Sequence, residues 1–171
     1  MTGADELLKK PDSPTFLLFE GSIQEVTAMA YGWRDSELKV RLLRGPKMRT
    51  IQTFFDEIAA VLQFPWYFGE NGNALDECLT DLSWLPPKDG YVLVVTNSGE
   101  TLADADRAAL ASLVRSLEFA AGEWEKSVEL GEAWDHAPVP FHVVLHTEVR
   151  DAPMTRFRWT AAGAEVSSLP A

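Results

Sequence analysis

The sequence predicts an α/β protein with a small parallel sheet of three strands, flanked by helices and widened by added N-terminal strands. Two runs are apolar almost throughout, YVLVVT at 91–96 and PFHVVLHTE at 140–148, as expected of strands covered on both faces. A third run, LKVRLLRG at 38–45, has the length and composition of a strand. Segments with helical apolar spacing separate these runs, and strands joined through helices form parallel sheets.

The segment before residue 38 is predicted to widen this sheet. Residues 1–14 are polar and contain two prolines, so we expect a mobile or loosely docked lead. TFLLFEG (15–21) and EVTAMAYGW (25–33) are short apolar runs bounded by turn residues, which is typical of strands. Together with the run at 38–45 they predict an antiparallel meander.

Three helices are predicted after the first core strand. One covers about 50–63, where apolar residues recur at helical spacing until Pro65 prevents continuation. The second covers 71–82 with Asn71 as its cap, and the third covers 103–121. The last run, RFRWTAAGAEV, alternates weakly, so we assign at most one edge strand there. The predicted organisation is an extension over 1–37, a central domain over 38–148 and a tail over 149–171.

Charge and cysteine content limit the possible functions. The chain has 15 Lys and Arg against 26 Asp and Glu, a net charge of −11, and residues 64–89 carry five acids and one base. This balance argues against direct nucleic-acid binding and against a basic membrane-surface protein, and it favours a basic partner. The lone cysteine, Cys78, fits a reducing compartment, and no stretch reads as a signal peptide or membrane helix, so a soluble, unprocessed cytoplasmic protein is expected.

Residues 64–82 mix bulky rings with acidic side chains. An aromatic turn, Trp66-Tyr67-Phe68-Gly69-Glu70-Asn71, precedes a helix that is expected to place Asn73, Asp76 and Glu77 outward while Leu75, Cys78, Leu79 and Leu82 turn inward. A solvated helix face beside a structural turn is one interpretation. The other is a binding surface, since rigid aromatic side chains beside unneutralised acids suit a basic protein.

The same segment resembles the barstar-like ribonuclease inhibitor family. The shared pattern is Tyr-x-Gly-Glu-Asn-x-x-Ala-Leu-x-x-Cys-Leu, which here begins at Tyr67 and includes Gly69 and Asn71. The resemblance extends over about residues 39–147, with Arg44-Gly45 at the family's turn into its first helix, and YVLVV and FHVVL as its second and third parallel strands.

The resemblance implies an inhibitor that occludes the active site of a small basic ribonuclease. It implies that the turn and the following helix enter the enzyme's cleft, with carboxylates where RNA phosphates would lie. Tyr67 matches the family's contacting tyrosine, and Glu77 takes the place of its chief aspartate. Asn73 replaces an acid, Asp76 replaces a tryptophan and Gly72 replaces a leucine, so we expect retained architecture with altered partner choice.

A further acidic contact of the family lies near the start of the helix after its second strand. Asp104 and Asp106 are the candidates for it here. We expect no catalytic residue and no required cofactor or metal, because the sequence offers no nucleophile–base pair and its net charge repels phosphate. Oligomeric state stays open, as does the choice between control of the organism's own nuclease and immunity to a foreign nuclease toxin.

Two other functions remain possible from the residues alone. One is a hydrolase using the acidic cluster, although Asp76 and Glu77 are adjacent and no His, Cys or Ser partner is evident nearby. The other is an interaction domain for a basic partner that is not a nuclease. An exposed, convex acidic face would favour inhibition, because catalytic carboxylates normally line a concave pocket.

Metal and thiol chemistry are weaker alternatives. His142, His146 and Glu148 alternate along one strand and could in principle meet a metal, but in so apolar a run we expect them to be buried or at its rim. Cys78 is expected to be an inert core thiol. No glycine-rich phosphate loop follows a predicted strand.

Overall fold

The computed structural model describes residues 3–170, which form a five-stranded sheet between two layers of helices. Its elements are α1 (Gly3–Leu8), β1 (Phe16–Glu20), α2 (Ile23–Asp35), β2 (Lys39–Arg44), α3 (Ile51–Leu62), α4 (Gly72–Asp81), β3 (Tyr91–Thr96), α5 (Arg107–Trp124), β4 (Phe141–Thr147), α6 (Ala152–Ala161) and β5 (Val166–Ser168). Short 3₁₀ turns lie at Gly45–Lys47, Ser98–Glu100 and Val149–Asp151. None of the helices within this range is long and apolar enough to cross a membrane.

All strand pairs in the sheet are parallel, in the order β2-β3-β4-β1-β5. The predicted α/β class and the three predicted core strands are confirmed, since they form the adjacent strands β2, β3 and β4. Two further strands complete the sheet. The segment before residue 38 contributes β1, and the tail contributes β5.

Both faces of the sheet are covered. Val92 and Val94 of β3 pack in a cluster with α1 and α2, whereas Leu93 and Val95 pack with α3, α4, α5 and α6. Every residue of β3 and β4 is buried, which confirms the prediction made from their continuous apolar runs.

The predicted antiparallel meander is wrong, because residues 25–33 lie within helix α2. Val26, Ala30 and Trp33 are buried at helical spacing, and Ser22 forms a capping box with Glu25. The run was long enough to be read as a strand, but its apolar residues recur every three or four positions. Only β1 of this region joins the sheet, and it is parallel to both neighbours.

The predicted loosely docked lead is also wrong where the structure describes it. Ala4 and Leu8 of α1 are fully buried, and the Lys9 ammonium lies 2.9 Å from a carboxylate oxygen of Asp89. Ala4 and Leu8 lie four residues apart on one face of this short helix, and that face packs against α2 and the sheet. Residues 1 and 2 of the predicted lead lie outside the described range.

The tail contains the predicted edge strand, β5, but a helix precedes it. Trp159 of α6 is fully buried, its ring centroid lies 5.9 Å from that of Phe16, and its indole N–H donates to the carbonyl of Ser98 at 3.2 Å. Ala152 and Thr155 are buried on the same side of α6. The division of the chain into extension, central domain and tail stays a prediction.

Candidate protein-binding site

The aromatic turn before α4 is fixed from below by packed rings. The ring centroid of Phe68 lies 4.9 Å from that of Phe64 and 5.7 Å from that of Phe55, in edge-on arrangements. Phe64 also packs edge-on against Trp84, whose indole N–H donates to the carbonyl of Leu62 at 2.9 Å. Tilted and edge-on ring pairs of this kind are favourable, so the underside of the turn is held in one conformation.

The upper side of the turn presents two large rings to solvent. Trp66 is 96% exposed and Tyr67 is 65% exposed, and their ring centroids lie 5.9 Å apart in an edge-on arrangement. The sequence reasoning placed Tyr67 among the contact residues but did not single out Trp66. Three consecutive aromatic residues do not indicate which ring packs beneath the turn, so the sequence carries no signal that separates Trp66 from Phe68.

Asn71 organises the backbone between the turn and the helix. Its side-chain carbonyl accepts the N–H of Ala74 at 3.0 Å, and its amide donates to the carbonyl of Gly69 at 3.0 Å. A Cβ at Gly69 would lie 3.0 Å from that amide nitrogen, so a side chain there would press on this contact. The predicted capping role of Asn71 is therefore confirmed.

Helix α4 has one buried face and one exposed face, as its periodicity predicted. Leu75, Cys78 and Leu79 are buried, and Asn73 and Glu77 are exposed. Burial, followed by the nearby carboxylates of Asp81 and Glu77, raises the pKa of the Cys78 thiol. A higher pKa keeps this buried thiol protonated, as expected of a core residue.

Asp76 lies at the boundary of these two faces rather than fully outward. Its side chain is half-buried, and Oδ1 is shielded from solvent without a hydrogen-bond partner among the described residues. The position follows Leu75 directly, so it is only about 100° around the helix from the buried face. A shielded carboxylate oxygen without a donor is unfavourable, and a donor supplied by a binding partner would satisfy it.

The negative charge of this surface is not balanced by neighbouring bases. Within residues 3–170, no ion pair involves Glu70, Asp76 or Glu77. Lys88, the only base among residues 64–89, pairs with Glu37 instead. We use the name acidic face for the exposed or half-exposed residues Trp66, Tyr67, Glu70, Asn73, Asp76 and Glu77.

The two further acids predicted from the resemblance are engaged within the chain. Arg49 donates to both carboxylate oxygens of Asp104, at 2.7 and 2.8 Å, and to Glu100 at 2.9 Å. These hydrogen bonds lower the pKa of Asp104. Asp106 caps α5 by accepting the N–H of Ala109 at 2.9 Å. Both acids tie the start of α5 in place, and a role for them in partner binding stays a prediction.

The strand histidines are buried, and His146 bridges two backbone groups while His142 contacts one. His142 Nδ1 lies 2.9 Å from the carbonyl of Pro14. His146 Nδ1 accepts the N–H of Asn97 at 3.0 Å, and Nε2 lies 3.1 Å from the carbonyl of Gly21. The prediction that these residues are buried is confirmed. In the part of the chain that the structure describes, no group of three or more His, Cys, Asp or Glu side chains could hold a metal.

The carboxyl ends of the sheet strands are the usual ligand position in open parallel sheets. Here β1 and β4 are paired neighbours, and near their carboxyl ends the His146 ring stacks on Phe19 at 6.2 Å and bridges the backbone of Asn97 and Gly21. The loop after β1 is short, because α2 begins at Ile23. Among the described residues, exposed aromatic and unpaired acidic side chains are grouped on the acidic face, on the turn and on α4.

The acidic face is exposed and is not the lining of a cavity. The cleft that adjoins it is lined by Gly72 and Leu75, whereas Tyr67, Asn73 and Glu77 are outside that cleft and open to solvent. This arrangement suits contact with a concave partner rather than enclosure of a small substrate.

An exposed acidic face on the turn and helix of a parallel α/β domain is a surface suited to contact with a basic protein. The family model of barstar, the barnase inhibitor, matches residues 38–146. The chain therefore belongs to the barstar family, and the resemblance seen in the sequence is confirmed. The match covers β2 to β4 and the whole acidic face, and leaves α1, β1, α2, α6 and β5 outside it.

Two solved structures share the complete fold at low sequence identity. A chain in a structure of Drosophila ORC bound to DNA superposes with a TM-score of 0.54 at 14% identity, over 95% of this chain and 83% of that one. Cdc6p from Pyrobaculum aerophilum gives a TM-score of 0.52 at 16% identity, over 96% of this chain and 42% of that one. These similarities concern the fold alone. No curated protein matches the chain in sequence.

Proposed function

We propose that this protein is a cytoplasmic inhibitor that binds a basic ribonuclease and occludes its active site with the acidic face. The observation that carries the proposal is a surface of unpaired acids and exposed rings, held rigidly at the position that carries the pattern of a barnase-inhibitor family. The proposal assigns no catalytic residue and no cofactor to this chain.

The chemistry of the two surfaces is complementary. A ribonuclease cleft presents Arg, Lys and His to the phosphates of RNA, so a carboxylate that enters it meets donors already in place. Glu77, exposed and without an ion pair, supplies that carboxylate at the centre of α4. Tyr67 and Trp66 supply rigid apolar contact area beside it, and residues of these types contribute strongly to protein interfaces.

The replacement of an acid by Asn73 and the presence of Asp76 suggest a partner with a shifted distribution of cations. A carboxylate buried at an interface needs a matching donor, so its position selects among possible enzymes. The half-buried position of Asp76 fixes its direction more firmly than that of an exposed acid. Asp76 is therefore proposed to contribute to partner choice.

The proposal is tested by titrating the protein into barnase and other small basic ribonucleases during cleavage of a fluorogenic RNA. Stoichiometric inhibition of at least one of them is expected. Glu77→Ala is expected to weaken binding by about 2–5 kcal/mol, because truncation leaves the partner's cations buried and unpaired. Asp76→Ala is expected to cause a comparable or smaller loss.

Glu6→Ala is the matched control, because it removes the same charge from an exposed position on α1, across the sheet. Association is also expected to slow as salt rises, since the steering between opposite charges is screened. Wild-type affinity in both acidic-face variants, with folding verified by circular dichroism, would overturn the proposed surface. If the protein instead binds a basic protein that has no nuclease activity, and Glu77→Ala weakens that binding, the proposed ribonuclease partner would be wrong.

A further inference from the structure

An apolar cleft of about 240 Å³ lies beside the acidic face, between α3, α4 and α5. Phe55 of α3 and Leu75 of α4 form part of its lining, and Ile51 lies at its mouth with 49% of its surface exposed. Ala109 and Ser112 line the side formed by α5. The volume is below the 300–1,000 Å³ or so of typical small-molecule sites, so it suits a single side chain better than a free metabolite.

The cleft is open at α4 because Gly72 has no side chain. A Cβ built at Gly72 would meet no atom within 4 Å, although the residue lines the cleft. Leu75 lies three positions further along the helix, and residues three apart share a helix face. A side chain at position 72 would therefore extend over the same cleft as Leu75.

Carboxylates lie on both sides of the cleft, and one base, Arg115, lies beside it on α5 and donates to Ser112 at 2.9 Å. Asp76 lies one helical turn after Gly72, and Glu77 follows it on the acidic face. Asp106 caps α5 one turn before Ala109 on the opposite side. An apolar side chain that enters here arrives between carboxylates, so basic residues beside it in the partner are complementary.

We propose that this cleft receives one aliphatic side chain of the basic partner, flanked in that partner by Lys or Arg. This inference rests on the proposed function and deepens it, because it assigns to the partner an apolar anchor beside the cations that meet the acidic face. Aliphatic insertion next to charged contacts follows the usual anatomy of an interface, with a buried apolar centre and a polar rim.

The test uses the full chain alone, labelled with ¹⁵N, and two blocked peptides as probes. N-acetyl-Arg-Leu-Arg-amide carries an aliphatic side chain between cations, and N-acetyl-Arg-Ser-Arg-amide carries the same charges without it. The leucine peptide is expected to shift the amide signals of Gly72, Leu75 and Ser112 and to bind about tenfold more tightly than the serine peptide, a factor consistent with burial of one aliphatic side chain.

Gly72→Leu is expected to fill the cleft from within and to remove this preference. Gly122→Leu is the matched control, because Gly122 lies in α5 with no atom within 4 Å of a built Cβ and does not line the cleft. Ser112→Leu fills the cleft from the α5 side and serves if Gly72→Leu does not fold. Equal binding of the two peptides by the wild type, or a leucine preference that survives in a folded filling variant, would overturn the inference.

Failure of this inference is distinguishable from failure of the proposed function. If the wild type inhibits a ribonuclease but binds the two peptides equally, the proposed role of the cleft is wrong and the proposed role of the acidic face stands. If the protein prefers the leucine peptide but inhibits none of the ribonucleases, the proposed ribonuclease partner is wrong and the proposed role of the cleft stands. Sedimentation of the wild type and of Gly72→Leu tests whether a second copy of this chain occupies the cleft. If the wild type self-associates and Gly72→Leu does not, the occupant is a second copy and the proposal of a different partner is wrong.

Discussion

Gly45 shows how closely two strands approach where the chain leaves β2. A Cβ at this position would overlap the carbonyl oxygens of Thr96 and Asn97 at the end of β3. Those oxygens belong to the backbone of a buried strand and to the residue after it, so they are not free to move aside. The glycine noted in the sequence at the end of the first core strand therefore has a steric cause.

Gly45→Ala is expected to lower the free energy of unfolding by about 1–3 kcal/mol, the usual cost of overpacking. Gly122→Ala is the control, since its Cβ enters open space within helix α5 and is expected to raise stability by roughly 0.5–1 kcal/mol. Urea denaturation of both variants measures the difference. Equal stabilities for Gly45→Ala and wild type would contradict the close approach.

The two buried histidines make stability depend on pH. Burial lowers the pKa of His142 and His146 below the ordinary 6.5, more than the nearby carbonyl groups raise it. The unfolded chain therefore binds protons below about pH 6.5 that the folded protein does not, and stability falls as the pH decreases. Carboxyls with a lowered pKa, such as Glu57 beside Arg44, add a further loss below about pH 4.5.

Denaturation at pH 8, 7, 6 and 5 is expected to show little change above pH 7 and a progressive loss between pH 6.5 and 5. Each histidine contributes at most about 1.4 kcal/mol per pH unit in this range. A variant with His142→Gln and His146→Gln is expected to be less stable at pH 8 but flatter between pH 7 and 5. An unchanged slope in that variant would assign the dependence to other groups.

At the scale of single elements, the sequence correctly predicts the helices and strands whose apolar pattern fits only one type of secondary structure. The continuous apolar runs of β3 and β4 and the periodicity of α3, α4 and α5 predicted these elements, although α5 begins at Arg107 rather than at 103. Residues 25–33 were misassigned because a short run rich in Val, Ala and aromatic residues satisfies strand composition. Their spacing and the Ser22–Glu25 capping box indicated the helix.

The candidate site was predictable to the extent that it depends on local periodicity. The exposure of Asn73 and Glu77 and the cap at Asn71 follow from positions along α4. The pairing of Asp104 with Arg49 does not, because these residues are 55 positions apart and meet only through the tertiary fold. The exposure of Trp66 could not be predicted, because it depends on which of the three rings packs beneath the turn.

Asn71 is expected to control both the stability and the binding surface of α4. Asn71→Ala removes the cap on Ala74 and the contact with Gly69, and is expected to cost about 0.5–2 kcal/mol of stability. Asn71→Asp retains a capping oxygen and is expected to recover most of it. Denaturation measures stability, and ribonuclease titration shows whether the turn moves. Equal losses in both variants would mean that the cap contributes little.

At the scale of the whole molecule, the sheet extends beyond the segment that matches the barstar family. β4 is the last strand of the matched segment, yet its outer edge pairs with β1, and β1 pairs in turn with β5. Leu17 and Trp33 complete the packing on one face of the sheet, and Phe16 and Trp159 complete it on the other. The segments on either side of the match therefore share its core.

A fragment of residues 38–146 is expected to be less stable than the full chain and to expose apolar surface. It would lose every hydrogen bond between β1 and β4 and open the edge of β4, and open apolar edges promote association. Binding of a hydrophobic dye and size-exclusion chromatography of the fragment and the full chain measure this. A monomeric fragment that binds no dye and matches the full chain in stability would contradict the expectation.

The pairing of β1 between β4 and β5 also determines when the molecule can be completed. Gly21 and His146, which meet at the end of these strands, are 125 residues apart. A ribosome releases β1 before β2 and β3, but both strands that flank β1 are translated after β3. Domains generally fold as units during synthesis, and distant pairings are slow to form. β1 therefore cannot pair until β4 has been made. A chain released before residue 141 contains β1 without either of the strands that flank it.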